Sequence, residues 1–194
     1  MRWLVAFAVL AFLLGDAAAF AGPYEDGIAA ARKRDYDTAA QLWKQAADSG
    51  IAEAQNNLGS LYAHGVGVKH DDVEAARLYR AAAEQGLGEA QSNLGHLYEI
   101  GAGVPQDLNA ALMWYRRGAA QGNTNAQFNL AGMYYNGKGV TQDLTLAYMW
   151  VSLAAAQGDA EAVSNRGMMA TQMTPAQLAE AQRLVHDWKP TPPR

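Results

Sequence analysis

Shifting the chain against itself by 36 residues brings Ile51–Gly86, Leu87–Gly122 and Asn123–Gly158 into register without a gap. Each neighbouring pair agrees at 18 of 36 positions. Self-similarity at such a period means a stack of like units, each too small to bury its own apolar face and stable only against its neighbours. The shared frame runs Ala-Gln-x-Asn-Leu, Tyr, Gly-x-Gly-Val, Asp, Ala and a closing Gln-Gly, as in Ala90-Gln91, Asn93-Leu94, Tyr98, Gly101 to Val104, Asp107, Ala111 and Gln121-Gly122.

Within a unit the apolar residues form two helical stripes. Ala54, Leu58, Leu61 and Tyr62 fall at i, i+4, i+7 and i+8, one face of a helix A over about 52–64. Ala75, Leu78, Tyr79, Ala82 and Ala83 repeat that spacing in a helix B over about 72–85, opened by Asp71 or Asp72 as N-cap and ended by Gly86 in a left-handed conformation. Between them Gly65-Val66-Gly67-Val68 supplies the positive-φ positions of a reversal. Each unit is therefore an antiparallel helical hairpin. Gly59, Gly95 and the corresponding Ala131 sit mid-helix, where glycine costs about 1 kcal/mol, so a partner helix is expected to come close there.

Both ends depart from the frame, as capping units should. Residues 22–50 give a shorter hairpin, Tyr24–Lys33 and Tyr36–Ser49, in which Arg34-Asp35 replaces the glycine loop and the pattern is closer to a tetratricopeptide hairpin. Residues 159–189 read as a C-terminal capping hairpin. Its first helix, over Asp159–Thr171, carries Arg166 and Ala170 where the repeats have Leu and Tyr. Thr174, Pro175 and Gln177 then form a capping box for a last helix reaching about Trp188. The proline-rich stretch 190–194 is expected to be disordered, and the total is ten helices.

Residues 1–21 read as an export signal. Met1-Arg2 gives a positive start, Trp3 to Leu14 is an apolar run, and Ala19-Phe20-Ala21 puts small residues before Gly22-Pro23. Cleavage is expected after Ala21, with Ala19 the alternative. The run is shorter than the roughly 20 apolar residues a spanning helix needs. The mature chain is thus expected in the periplasm or secreted, a monomer without stable membrane insertion.

Composition removes several functions. Lys and Arg number 15 against 19 Asp and Glu, a net charge of -4, so a sequence-independent phosphate-binding surface has no electrostatic support and nucleic acid is not an expected partner. With no cysteine, disulfides, thiolate nucleophiles and Cys-ligated metals are excluded. His64, His70, His96 and His186 show no metal-ligand spacing. Gly137-Lys138-Gly139 lacks the strand and the Gly-Lys-Ser/Thr ending of a phosphate loop. No nucleophile elbow occurs, and Arg32-Lys33-Arg34 and Arg116-Arg117 read as helix-terminal charges and stems. Neither catalysis nor a cofactor is expected.

Asn93–Tyr98, Gly101–Val104, Asp107 and Trp114–Gly122, at this period, resemble the Sel-one-like repeat family, a branch of the tetratricopeptide-like α-solenoids. The resemblance implies an all-α, right-handed α-α superhelix of helical hairpins. It also implies a noncatalytic scaffold or adaptor for a protein or peptide, in bacteria often in the cell envelope. The alternative it brings is an envelope enzyme or β-lactam-binding protein like cysteine-rich relatives, whose helix-stapling cysteines are absent here. A self-assembling spacer is a third reading.

Recurring residues should hold such a stack together, while those that vary on the outer side of helix A should choose the ligand. On a helical wheel the non-core positions are Glu53, Asn56, Ser60 and Ala63; Glu89, Ser92, His96 and Glu99; and Asn125, Phe128, Gly132 and Tyr135. The third set stands apart, because Phe128 and Tyr135 flank Gly132 where the sister units are polar. An exposed aromatic pair over glycine is a candidate peptide anchor, the alternative being packing against the next helix A. Asn57, Asn93 and Asn129, with Asn165, recur beside the core stripe. In tetratricopeptide domains an asparagine at a similar position grips peptide backbone, and a hydrogen bond between neighbouring hairpins is the other reading. Phe128, Tyr135, Asn57, Asn93, Asn129, His96 and Glu99 are the candidate partner-binding residues.

Overall fold

The computed structural model describes residues 22–192, so the export signal read at 1–21 lies outside the described residues. These form ten α-helices and no strand: α1 Pro23–Arg32, α2 Tyr36–Asp48, α3 Ala52–His64, α4 Asp72–Glu84, α5 Gly88–Ile100, α6 Leu108–Ala120, α7 Thr124–Asn136, α8 Leu144–Ala156, α9 Ala160–Ala170 and α10 Pro175–Asp187. Helices α1 to α8 pair in order as hairpins, and each hairpin packs its first helix on the second helix of the one before. Within α1 to α8, α5 also approaches α7 directly, whereas no two second helices come as close, so the first helices line the inside of the curve there.

Three features of the repeat frame make this stack. Asp35, Asp71, Asp107 and Asp143 each cap a second helix by accepting a bond from a backbone N–H three residues on. The two loop glycines have separate tasks. Gly65, Gly101 and Gly137 end the first helices in the left-handed conformation. Gly67, Gly103 and Gly139, also at positive φ, press backbone against the start of the preceding hairpin's second helix, at Tyr36, Asp72 and Leu108. At Gly103 an added Cβ would lie 2.0 Å from the Asp72 carbonyl oxygen.

The third feature is a buried glutamine ladder. Gln91 Nε2 donates to the Ala83 carbonyl of the preceding hairpin, 3.1 Å, while its Oε1 accepts from Gln121 Nε2, 2.8 Å. Gln55 and Gln127 repeat the arrangement with Ala47 and Gln85, and with Ala119 and Gln157. Each glutamine thereby ties three helices and satisfies a carbonyl in a helix's last turn.

The C-terminus differs from the hairpin read in the sequence. Thr174 and Gln177 form the expected capping box, but α10 packs along α8 and not on α9. The segment expected to be disordered is held at its described end: the Thr191 N–H and hydroxyl both donate to the Ala120 carbonyl, at 2.8 and 3.2 Å. Trp188 reaches Gly122. The chain thus folds back along the edge formed by the Gln-Gly turns.

Candidate binding site on the inner face

The mid-helix glycines on the inside of the curve accommodate tyrosines. A Cβ on Gly59 would lie 3.0 Å from the Tyr79 ring, and one on Gly95 2.8 Å from the Tyr115 ring. Tyr115 is fully buried, and its hydroxyl donates to Glu99 Oε2, 2.9 Å. Burial pushes the pKa of Tyr79 up to about 12, while the Ser60 hydroxyl beside it works the other way. Both rings therefore reach beneath a first helix towards the inner face.

The α7–α8 hairpin breaks this pattern. Ala131 replaces the glycine, and Val151 stands where Tyr79 and Tyr115 stand. The shorter side chain leaves an apolar pocket of about 270 Å³, bordered by Phe128, Gly132 and Tyr135 of α7 and by Asn165, Met168 and Met169 of α9, with Ala131 and Val151 at its base. Nothing lies within 4 Å of a Cβ built on Gly132. Tyr135 and Gln172 exchange side-chain hydrogen bonds, 2.9 and 3.2 Å, at one end.

Phe128 and Tyr135 therefore combine the two alternatives. Both are half-buried against the core that includes Met169 of the next unit, and both line the opening. The wheel is corrected at Asn56 and Ser92, which are each only 2% exposed. An inner helix of a stack touches its own partner and the neighbouring inner helices, so it buries a wider arc than a surface helix does. Asn93 Nδ2 donates to Asn56 Oδ1 across hairpins, 2.9 Å, and the Asn57 amide faces Tyr24, whose pKa it works to lower against burial. At Asn93 the asparagine ties neighbouring hairpins. Asn129 is half-buried without being drawn into the pocket, whereas Asn165 lines it.

Glu99 is not the free surface acid that the wheel implies. Its Oε1 accepts from Lys138 Nζ, 2.9 Å, joining the α5–α6 and α7–α8 hairpins. Burial works to raise its pKa, but the Lys138 and Tyr115 hydrogen bonds outweigh that and leave it below the usual carboxylate value. Its stabilising contribution is present above the ordinary carboxylate range and fades as pH falls through the lowered value. His96 is exposed nearby. Arg80 and Arg116 supply a further tie: each donates to a tyrosine hydroxyl of the next hairpin, Tyr98 at 2.8 Å and Tyr134 at 2.7 Å, and lies over that ring. At the last junction both partners are lost together, to Ser152 and Ala170, and Ser152 Oγ is buried without a hydrogen-bond partner. Among the described residues no three metal-ligating side chains cluster.

The Sel1 repeat family model matches residues 15–51, 52–87, 88–123 and 124–159. This chain belongs to the Sel1 repeat family. The model counts as a repeat the N-terminal hairpin that the sequence presents as a cap. A Sel1 repeat protein from Oxalobacter formigenes is 32% identical, with a TM-score of 0.72 over 76% of this chain and 59% of that one. A protective antigen of uropathogenic Escherichia coli displaying an SLR fold is 30% identical over 85% of this chain and 45% of its own, with a TM-score of 0.47. The chain thus spans less than two thirds of either solved relative. Comparison with curated proteins finds no match. Sel1 repeat proteins are generally protein-interaction scaffolds, typically without catalytic activity.

Proposed function

We propose that this Sel1 repeat protein is an exported, noncatalytic adaptor that holds a protein or peptide partner of the cell envelope on its inner face. The observation that carries the reading is the apolar pocket flanked by Phe128 and Tyr135, which opens on the side lined by the first helices. Large amphipathic side chains beside a recess are the residue types that dominate binding energy at protein interfaces. Export rests on the leader's charge, its apolar run and Ala19-Phe20-Ala21. Among the described residues no helix is long and apolar enough to cross a membrane. Intact mass of the exported protein is expected to place its first residue at Gly22, and a full-length mass in washed membranes would defeat the export reading.

The binding reading is tested with Phe128→Ser and Tyr135→Glu. Because both side chains are only half-buried, the double variant should keep its helical circular dichroism and lose about 1–2 kcal/mol of stability. An envelope protein retained by the parent should bind about 2 kcal/mol more weakly per anchor removed, by calorimetry. Unchanged affinity in the folded double variant would refute this surface.

A further inference from the structure

We infer that the pocket between α7 and α9 receives an aromatic side chain from the partner, a ring that takes the place of the tyrosine which the two preceding repeats supply from within. The inference rests on the adaptor reading and specifies what the site recognises.

The internal comparison carries it. Three hairpins share one frame, and in two of them the slot beneath the first helix is filled by a phenol ring packed on glycine, Tyr79 on Gly59 and Tyr115 on Gly95. In the third, Val151 and Ala131 stand at these positions and the slot is open, about 270 Å³ in volume. Engineered apolar cavities of roughly 150 Å³ already admit benzene. The chemistry of the lining narrows the occupant further. None of the lining residues is ionisable at neutral pH, so a charged anchor would be stripped of water without a counter-charge. The Met168 and Met169 thioethers and the Phe128 and Tyr135 rings favour an aromatic over an aliphatic group. The polar partners of the sister rings are missing: Ser60, beside Tyr79, corresponds to Gly132, and Glu99, the acceptor of the Tyr115 hydroxyl, to Tyr135, which is engaged with Gln172. Phenylalanine therefore suits the slot better than tyrosine. At the rim Asn136 donates one amide N–H to the Gly132 carbonyl, which leaves its other N–H, its carbonyl oxygen and the Asn165 amide for the backbone that carries the ring.

The test uses mature protein labelled with 13C at methionine methyls and titrated with N-acetyl-phenylalaninamide, N-acetyl-tyrosinamide, N-acetyl-leucinamide or N-acetyl-lysinamide. The phenylalanine probe should give saturable ring-current shifts at Met168 and Met169. Apparent affinity should be at least tenfold weaker for the leucine and lysine probes and several-fold weaker for the tyrosine probe. Ala131→Gly with Val151→Tyr rebuilds the sister pair and should remove the response. Gly132→Leu, which enters open space, gives the same block should the double variant not fold. Equal binding of the leucine probe, or unchanged shifts in both filled variants, would overturn the aromatic slot. So would shifts at Met168 and Met169 that follow protein concentration alone, since a second copy of the chain would then be the occupant. A protein partner that binds the filled variants as tightly as the parent, yet is lost from Phe128→Ser/Tyr135→Glu, overturns the slot while leaving the adaptor function standing. Retention by all variants overturns both.

Discussion

Gly103→Ala is expected to remove about 4 kcal/mol of stability, read as a shifted midpoint in urea denaturation at unchanged slope, from positive-φ strain and overpacking together. The residue adopts φ 66, and its Cβ would meet the carbonyl oxygen, carbonyl carbon and following nitrogen at the start of α4, the nearest at 2.0 Å. Backbone at a helix start cannot step aside as a side chain can, so the second and first full repeats must move apart. Gly101→Val should cost less, about 1–3 kcal/mol, because it meets strain at φ 75 but only a side-chain Cβ and loop backbone beyond 3 Å. Ala102→Val, at the central loop position between the two positive-φ glycines, should cost least of the three. A ranking with Ala102→Val the most damaging would show that the loop does not seat on the preceding hairpin.

Tyr115→Ala should cost a similar amount, about 4 kcal/mol. The ring is wholly enclosed between helices, against a glycine that leaves no side chain to collapse into the void. Tyr115→Phe separates packing from polarity: it keeps the ring and removes the bond to Glu99, a loss of about 1 kcal/mol. In that variant Glu99 has lost one of the two donors that hold its pKa down, so the pKa should rise and acid unfolding should begin at higher pH. Thermal melts of the three proteins at neutral and mildly acid pH would settle both points. A Tyr115→Ala variant within 1 kcal/mol of the parent would mean that the slot closes without its ring, and would weaken the case for the open one in the third repeat.

The helices were legible because 3.6-residue periodicity, aspartate caps and left-handed glycines are local signals. Asp71, Gly101 and the Thr174–Gln177 box stand where those signals put them. Which neighbour a helix chooses is not local. The sequence marks α10 clearly, yet nothing in its periodicity says that it packs on α8 and leaves α9 half-covered. The same limit governs the site. Phe128 and Tyr135 stood out by contrast with sister repeats, but Glu99 looked solvent-facing because its partners Tyr115 and Lys138 lie 16 and 39 residues away. Asn56 and Ser92 were misjudged because a wheel assumes one buried face, where a stacked helix has more than one. The Tyr79, Tyr115, Val151 column was present in the alignment of repeats, and its meaning required knowing that the ring passes under α3 and α5.

The paired loss of Arg and Tyr at the final junction sets an order of dismantling. A quasi-one-dimensional array comes apart at its weakly tied joints, and one of these lies between α8 and α9, where Ser152 and Ala170 replace the cation-and-ring clasp of the α4–α5 and α6–α7 junctions. Amide exchange should therefore begin in α9 and progress towards α3, as fraying from one end and not as a single all-or-none event. A ligand seated between α7 and α9 would bridge the same joint that the missing clasp leaves untied. Occupancy would then slow exchange throughout the terminal unit, including amides well away from the pocket.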